Sequence, residues 1–237
     1  MSFAHSPKIV TDGLVLALDA GNVKSYVSGS TTWFDKSGNA YNGTLTNGPT
    51  FNSANGGSIV FDGTNDYINQ TLNTGSFTTE ATLIMFLKLT NATPSNPSET
   101  GIERLSAASE KQASHYPWID GTAYFGTFQT GTTRVNSISL SSTIDRTNWH
   151  MITITSSPGA SNWKFYQNTE LRHSADGSSA VSFSTDGVYN LGRSQTYLDS
   201  NFWYINGNIA TIQLYNKALS IQEITQNFNA LRGRFGI

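Results

Sequence analysis

The chain has 237 residues, 14 Lys+Arg against 16 Asp+Glu, a formal net charge of -2 and no cysteine. The near-neutral balance excludes an electrostatic grip on nucleic acid or an anionic membrane. The missing cysteine excludes disulfides, thiolate metal sites and a Cys nucleophile, and no 18-residue apolar run exists to insert in a membrane. Charged residues make up 13%, about half the usual share. Aromatics make up 12%, and about a third of the chain is Ser, Thr or Asn, a composition suited to strands joined by polar turns.

Short strand-like runs recur along the chain. Leu14, Leu16 and Leu18 alternate with Val15 and Ala17, which predicts a first strand. A second run covers 58–62 and closes on Gly63-Thr64-Asn65-Asp66. In 80–89, Leu83, Met85, Leu87 and Leu89 share one face and Ile84 and Phe86 the other. Two apolar faces predict a strand central in its sheet. Residues 91–101, with Pro94 and Pro97, read as a long surface excursion. Runs at 123–129 and 133–140 flank Thr130-Gly131-Thr132 and read as a hairpin. Further strands are expected at 149–155, 163–166, 189–192 and 209–215, the last with Ala210, Ile212 and Leu214 on one face. Then comes one helix. Ser220 and Glu223 form a capping box, and Ile221, Ile224, Phe228 and Leu231 form an apolar stripe that packs on the strands. Many short strands without a linker predict one all-β domain over 13–237. Residues 1–12 are expected to be an N-terminal arm, and 229–237 a second free arm. Met1–Pro7 carries no apolar signal core, so the chain is expected to be made in a cytoplasm.

The segment Trp33-Phe34-Asp35-Lys36-Ser37-Gly38-Asn39-Ala40-Tyr41-Asn42-Gly43-Thr44-Leu45 resembles the W-x-D-x-S-G-N-x-x-N-G-T-L segment of laminin-G-like domains, which belong to the concanavalin A-like jelly-roll superfamily. Residues 58–68, 76–81, 148–154 and 207–224 resemble further family pieces in the family's order. Thr82 stands where a Trp is common, and Gln167-Asn168-Thr169-Glu170 replaces the usual N-G turn. The resemblance implies a two-sheet antiparallel sandwich with a short C-terminal helix. The opening 11–22 and the close 229–237 resemble stand-alone laminin-G-like proteins of tailed phages.

Glycoside hydrolases on this sandwich use paired carboxylates. Their E-x-D-x-x-E pattern is missing, and none of the six glutamates pairs with another in the sequence for acid–base work. The four histidines are scattered without metal-ligand spacing, and His150 belongs to the family's strand motif, which favours packing. Calcium is the candidate metal, with oxygens of Asp62, Asn65 and Asp66, or of Asp35, Asn39 and Asn42, although Asp and Asn also build turns through their side chains. The candidate ligand-binding aromatics are Tyr116 and Trp118 in one loop and Tyr197, Trp203 and Tyr204 in another. They would serve a glycan or a protein partner equally, and packing beneath a loop competes with both.

The expected protein is therefore non-enzymatic. The resemblance implies a virion-surface protein made in the host cytoplasm, either capsid decoration or a fibre- or tail-associated adhesin. Its partners would be other virion proteins, sister subunits in a homo-oligomer and cell-surface glycan, with no nucleic acid and no membrane insertion. The alternative is a calcium-assisted carbohydrate-binding module of a cell, with a glycoside hydrolase third.

Overall fold

The computed structural model describes residues 8–77, 79–107, 110–111, 114–128, 135–139, 145–177, 187–195 and 201–237. Among these residues, strands build two large antiparallel sheets packed face to face. The first runs in the order Glu170–Gly177, Gly159–Gln167, His150–Ser156, Ala81–Leu89, Asn206–Tyr215, Ser58–Asp62 and Thr50–Asn52. Leu14–Asp19 also pairs with Asn206–Tyr215. The second runs Val135–Ser139, Thr122–Phe125, Ser114–His115, Gly101–Ala107, Val188–Leu191, Tyr67–Thr71, Gly43–Thr46 and Thr32–Trp33. This is the all-β jelly-roll sandwich the sequence predicts.

The Ala81–Leu89 strand is central, as its two apolar faces require. Leu83, Met85 and Leu87 point into the core between the sheets. Ile84 and Phe86 point outward into a second apolar layer. That layer is roofed by the C-terminal helix Ile221–Leu231. Ser220 Oγ accepts from Glu223 N, and Glu223 Oε2 accepts from Ser220 N, so the capping box is complete. Ile224 is buried, Phe228 and Leu231 pack on the layer, and Ile221 lies at its edge, 40% exposed. Ser220→Ala is expected to lower stability by about 1 kcal/mol, read as a shift of the urea midpoint.

Two expectations are corrected here. Ala210 does not share a face with Ile212 and Leu214. A bulge between Ile209 and Thr211 shifts the register, so Ile209, Ile212 and Leu214 face the inner core and Ala210 the outer layer. Neither end is a free arm among the described residues. Val10 N donates to Asn227 Oδ1, and Tyr215 Oη donates to the Val10 carbonyl. Phe235 stacks on Phe86 at 5.0 Å, and Arg234 pairs with Asp19 at 2.7 Å. The apolar outer face of the sheet needs a cover, and both ends supply it. Residues 1–7 lie outside the described ones.

The Trp33–Leu45 motif explains itself locally. Asp35 accepts from Ala17 N, Ser37 N, Ser37 Oγ and Tyr41 N. Ser37 Oγ and Asn39 Nδ2 donate to the Val15 carbonyl, and Asn42 Oδ1 accepts from Asp35 N. The motif stitches its loop to the first strand, the turn-building role that Asp and Asn side chains take. Residues 122–125 and 135–139 pair as the predicted hairpin, whose 130–132 turn falls outside the described residues.

Candidate carbohydrate-binding rim

A short ribbon of Arg193–Gln195 paired with Phe202–Tyr204 stands at one end of the sandwich. Thr100 bridges to Ile205, and Ile205 N donates to the Gly192 carbonyl, which ties the ribbon to both sheets. At Gly101 the strand passes so close that a Cβ would collide with the Trp203 carbonyl, which is why glycine stands there. Cross-strand pairing puts Ser194 and Trp203 on one face of the ribbon. Arg193, Tyr204, Gln195 and Phe202 fall on the other.

The first face holds an edge-to-face aromatic cluster. Trp203 lies 5.1 Å from the His115 ring and 6.1 Å from Trp118, and His115 lies 4.5 Å from Trp118. Thr100 Oγ1 meets His115 Nδ1 at 2.8 Å. Both indoles are half-buried, so each retains exposed surface. The Trp118 loop is braced from below. Trp118 N donates to the Thr122 carbonyl, and Asp120 accepts from Thr122 N and Tyr124 Oη.

The second face holds a clamped cation. The Arg193 guanidinium lies 3.7 Å over the Tyr67 ring and 4.5 Å over the Phe202 ring. Its Nη2 donates to Asn190 Oδ1 at 2.6 Å, and Asn190 Nδ2 donates to Asn69 Oδ1 at 2.7 Å. No described carboxylate forms an ion pair with it. Tyr204 completes this face, 6.4 Å from Phe202.

The two candidate loops therefore converge through Trp118 and Trp203, while Tyr204 lies on the opposite face of the ribbon. Tyr116 does not belong with them. It is 2% exposed, and its hydroxyl meets His150 Nε2 at 2.9 Å and accepts from Gln167 Nε2. Burial raises its phenol well above the ordinary value. It is a core residue, packed against Phe125, His150 and Phe165. Tyr197 lies outside the described residues.

The Asp62–Asp66 loop builds a turn. Asp62 Oδ1 accepts from Thr64 N and Asn65 N, and Asp66 Oδ2 accepts from Asp62 N. The Asn65 carbonyl accepts from Asn47 Nδ2. Burial, then the neighbouring Asp62 charge, pushes Asp66 up. No group of three or more Asp, Glu or His that could hold a metal occurs among the described residues.

Sequence reasoning missed Arg193, Asn190 and Tyr67; the first two are neighbours in the chain, and strand pairing brings the distant Tyr67 to them. Glu103 is buried in the Gly101–Ala107 strand, where Oε1 accepts from Ser114 Oγ and Thr127 Oγ1, both at 2.6 Å.

The two-sheet jelly roll is an architecture that viral capsid, cupin and lectin domains share. The chain belongs to a family described as the concanavalin A-like lectin/glucanases superfamily, whose laminin-G model matches residues 62–225. A search of curated proteins found no match. Among solved structures, the receptor-binding domain of botulinum neurotoxin C/D mosaic serotype is similar, with a TM-score of 0.70 and 15% identity over 92% of this chain and 51% of that one. The botulinum neurotoxin serotype D ligand-binding domain, solved with N-acetylneuraminic acid, gives a TM-score of 0.67 and 15% identity over 92% and 51%. This chain spans about half the length of those neurotoxin domains. Domain 4 of AbnA, a GH43 extracellular arabinanase from Geobacillus stearothermophilus, solved with arabinotriose, gives 0.65 and 17% identity over 90% and 97%. At these identities the likeness is one of fold. Two of the three are described as binding domains, and the third is one domain of a glycosidase.

Proposed function

We propose that the ribbon rim binds carbohydrate without turning it over. The observation that carries this reading is the convergence of Trp118 and Trp203 around His115. Sugar rings carry an apolar C–H face and a hydroxylated edge, and a half-exposed indole beside polar groups suits both. On the other face of the ribbon, the clamped Arg193 supplies a positive charge that favours a carboxylate-bearing sugar. The sialic acid and arabinotriose in the similar structures support the substrate class. A glycan array, run with calcium and with a chelator, tests it. Binding is expected to weaken at least tenfold in Trp203→Ala or Trp118→Ala, measured by calorimetry on the glycans that score. A blank array under both conditions overturns the reading. Loss of binding on chelation alone supports the calcium-assisted module of a cell.

For the setting we propose the outside of a phage particle, as decoration or adhesin, with virion proteins or sister subunits as partners. This rests on the resemblance of 11–22 and 229–237 to phage proteins. Both segments dock on the domain, so among the described residues contact with the particle falls to loops and exposed surface. Purified virions should carry the chain at fixed stoichiometry by mass spectrometry. Its absence from them overturns the setting and leaves the sugar site standing.

A further inference from the structure

A cleft of about 510 Å³ opens at the side edge of the sandwich, where the turn joining Gly43–Thr46 to Thr50–Asn52 faces the 26–31 loop. That volume lies within the range of small-molecule sites. The floor is apolar, from Tyr26, Leu45 and Phe51. The lip is polar and uncharged: Ser28, Thr31 and Thr50 contribute hydroxyls, and Asn47 an amide. No Lys, Arg, Asp or Glu lines it.

The cleft is already rigid. Tyr26 packs edge-on to Trp33 at 6.4 Å and against Phe51 at 5.4 Å. Its hydroxyl donates to the Ser30 carbonyl, and Ser30 Oγ bridges the backbone of Thr32. Asn47 is held by its donation to the Asn65 carbonyl, and that bond uses only the amide nitrogen. At Gly29 and Gly48, in the left-handed region, a Cβ would meet nothing within 4 Å, so the mouth is open.

We infer that this cleft is a second ligand site, for a neutral saccharide. An apolar floor receives the C–H face of a sugar ring, and hydroxyl and amide groups on the lip exchange hydrogen bonds with its edge. The uncharged lining offers no partner for a carboxylate or phosphate, which would be desolvated without compensation. The rim site carries Arg193, so the two sites differ in the charge they accept. None of the cleft residues belongs to the rim, and the inference stands apart from the rim's function.

The test is amide chemical-shift mapping by NMR on the full chain, titrated with arabinotriose, maltotriose and 3′-sialyllactose. Saturable shifts at Gly29, Gly48 and Thr50 with a neutral trisaccharide are expected, and the charged one should bind there at least tenfold more weakly. Thr31→Trp, at an exposed lip position, should abolish the shifts by filling the mouth. Thr50→Trp serves the same purpose should the first variant misfold, and the spectrum itself reports folding. Absence of shifts at these amides with both neutral sugars overturns the inference. So does their persistence in the blocked variant. Shifts confined to Trp118 and Trp203 support the rim and overturn the cleft.

Discussion

Asp35→Ala is expected to lower the unfolding free energy by about 3–5 kcal/mol, which places it among the most damaging single changes in the chain. The carboxylate is 8% exposed and receives three backbone N–H groups and one hydroxyl. Alanine leaves the three backbone N–H groups without an acceptor where water has little access. The donors come from two segments, Ala17 in the first strand and Ser37 and Tyr41 in the loop, so the change also unhooks the loop from the sheet. Asp35→Asn keeps one acceptor oxygen and should cost about half as much. Urea unfolding of both variants checks this. Equal midpoints for wild type and Asp35→Ala would refute it.

The second large effect is a pH profile. Burial pushes Glu103 from 4.5 up to about 7, against the lowering effect of the Ser114 and Thr127 hydroxyls. Between those values the folded chain holds a proton that the unfolded chain releases. Its contribution is therefore complete below pH 4.5 and lost as pH rises through 7, in total about 3 kcal/mol. His150 acts in the opposite direction. Burial lowers it from 6.5 to about 4, and the neutral ring takes part in the Tyr116 contact. Its contribution is complete above 6.5 and lost as pH falls through 4. From pH 4.5 to 6.5 the two slopes oppose and nearly cancel. Glu103→Gln keeps an oxygen for both hydroxyls and removes one slope. Relative to wild type, the variant should gain about 3 kcal/mol in stability from pH 4.5 to 7, read from urea midpoints at each pH. A constant difference between the two profiles would sink the assignment.

How much of this was legible in the sequence follows from the range of the interactions. Strand positions, the central place of Ala81–Leu89 and the capping box rest on neighbours within a few residues, and the pattern states them. Ala210 was misplaced because a bulge leaves no mark on apolar alternation. The docked ends were misread because Phe235 and Val10 look unattached until the outer face of the sheet is known to be apolar and uncovered. At the rim, Trp118 and Trp203 were legible as loop aromatics, whereas Tyr116 looked equivalent and is not. Arg193 was invisible, since its surroundings depend on the distant Tyr67 and on a ribbon pairing that brings Phe202 over it.

The docking of both ends on the outer sheet has a mechanical consequence. Leu14 pairs with Tyr215, so the chain enters its first strand and leaves its last one side by side. Tension drawn between the ends peels these strands apart one hydrogen bond at a time and does not shear them all at once. The Asn206–Tyr215 strand has 10 residues, which sets its far end roughly 30 Å from that peeling point. Phe202–Tyr204 lies beyond that far end, so the ribbon keeps its pairing while the two end strands come apart.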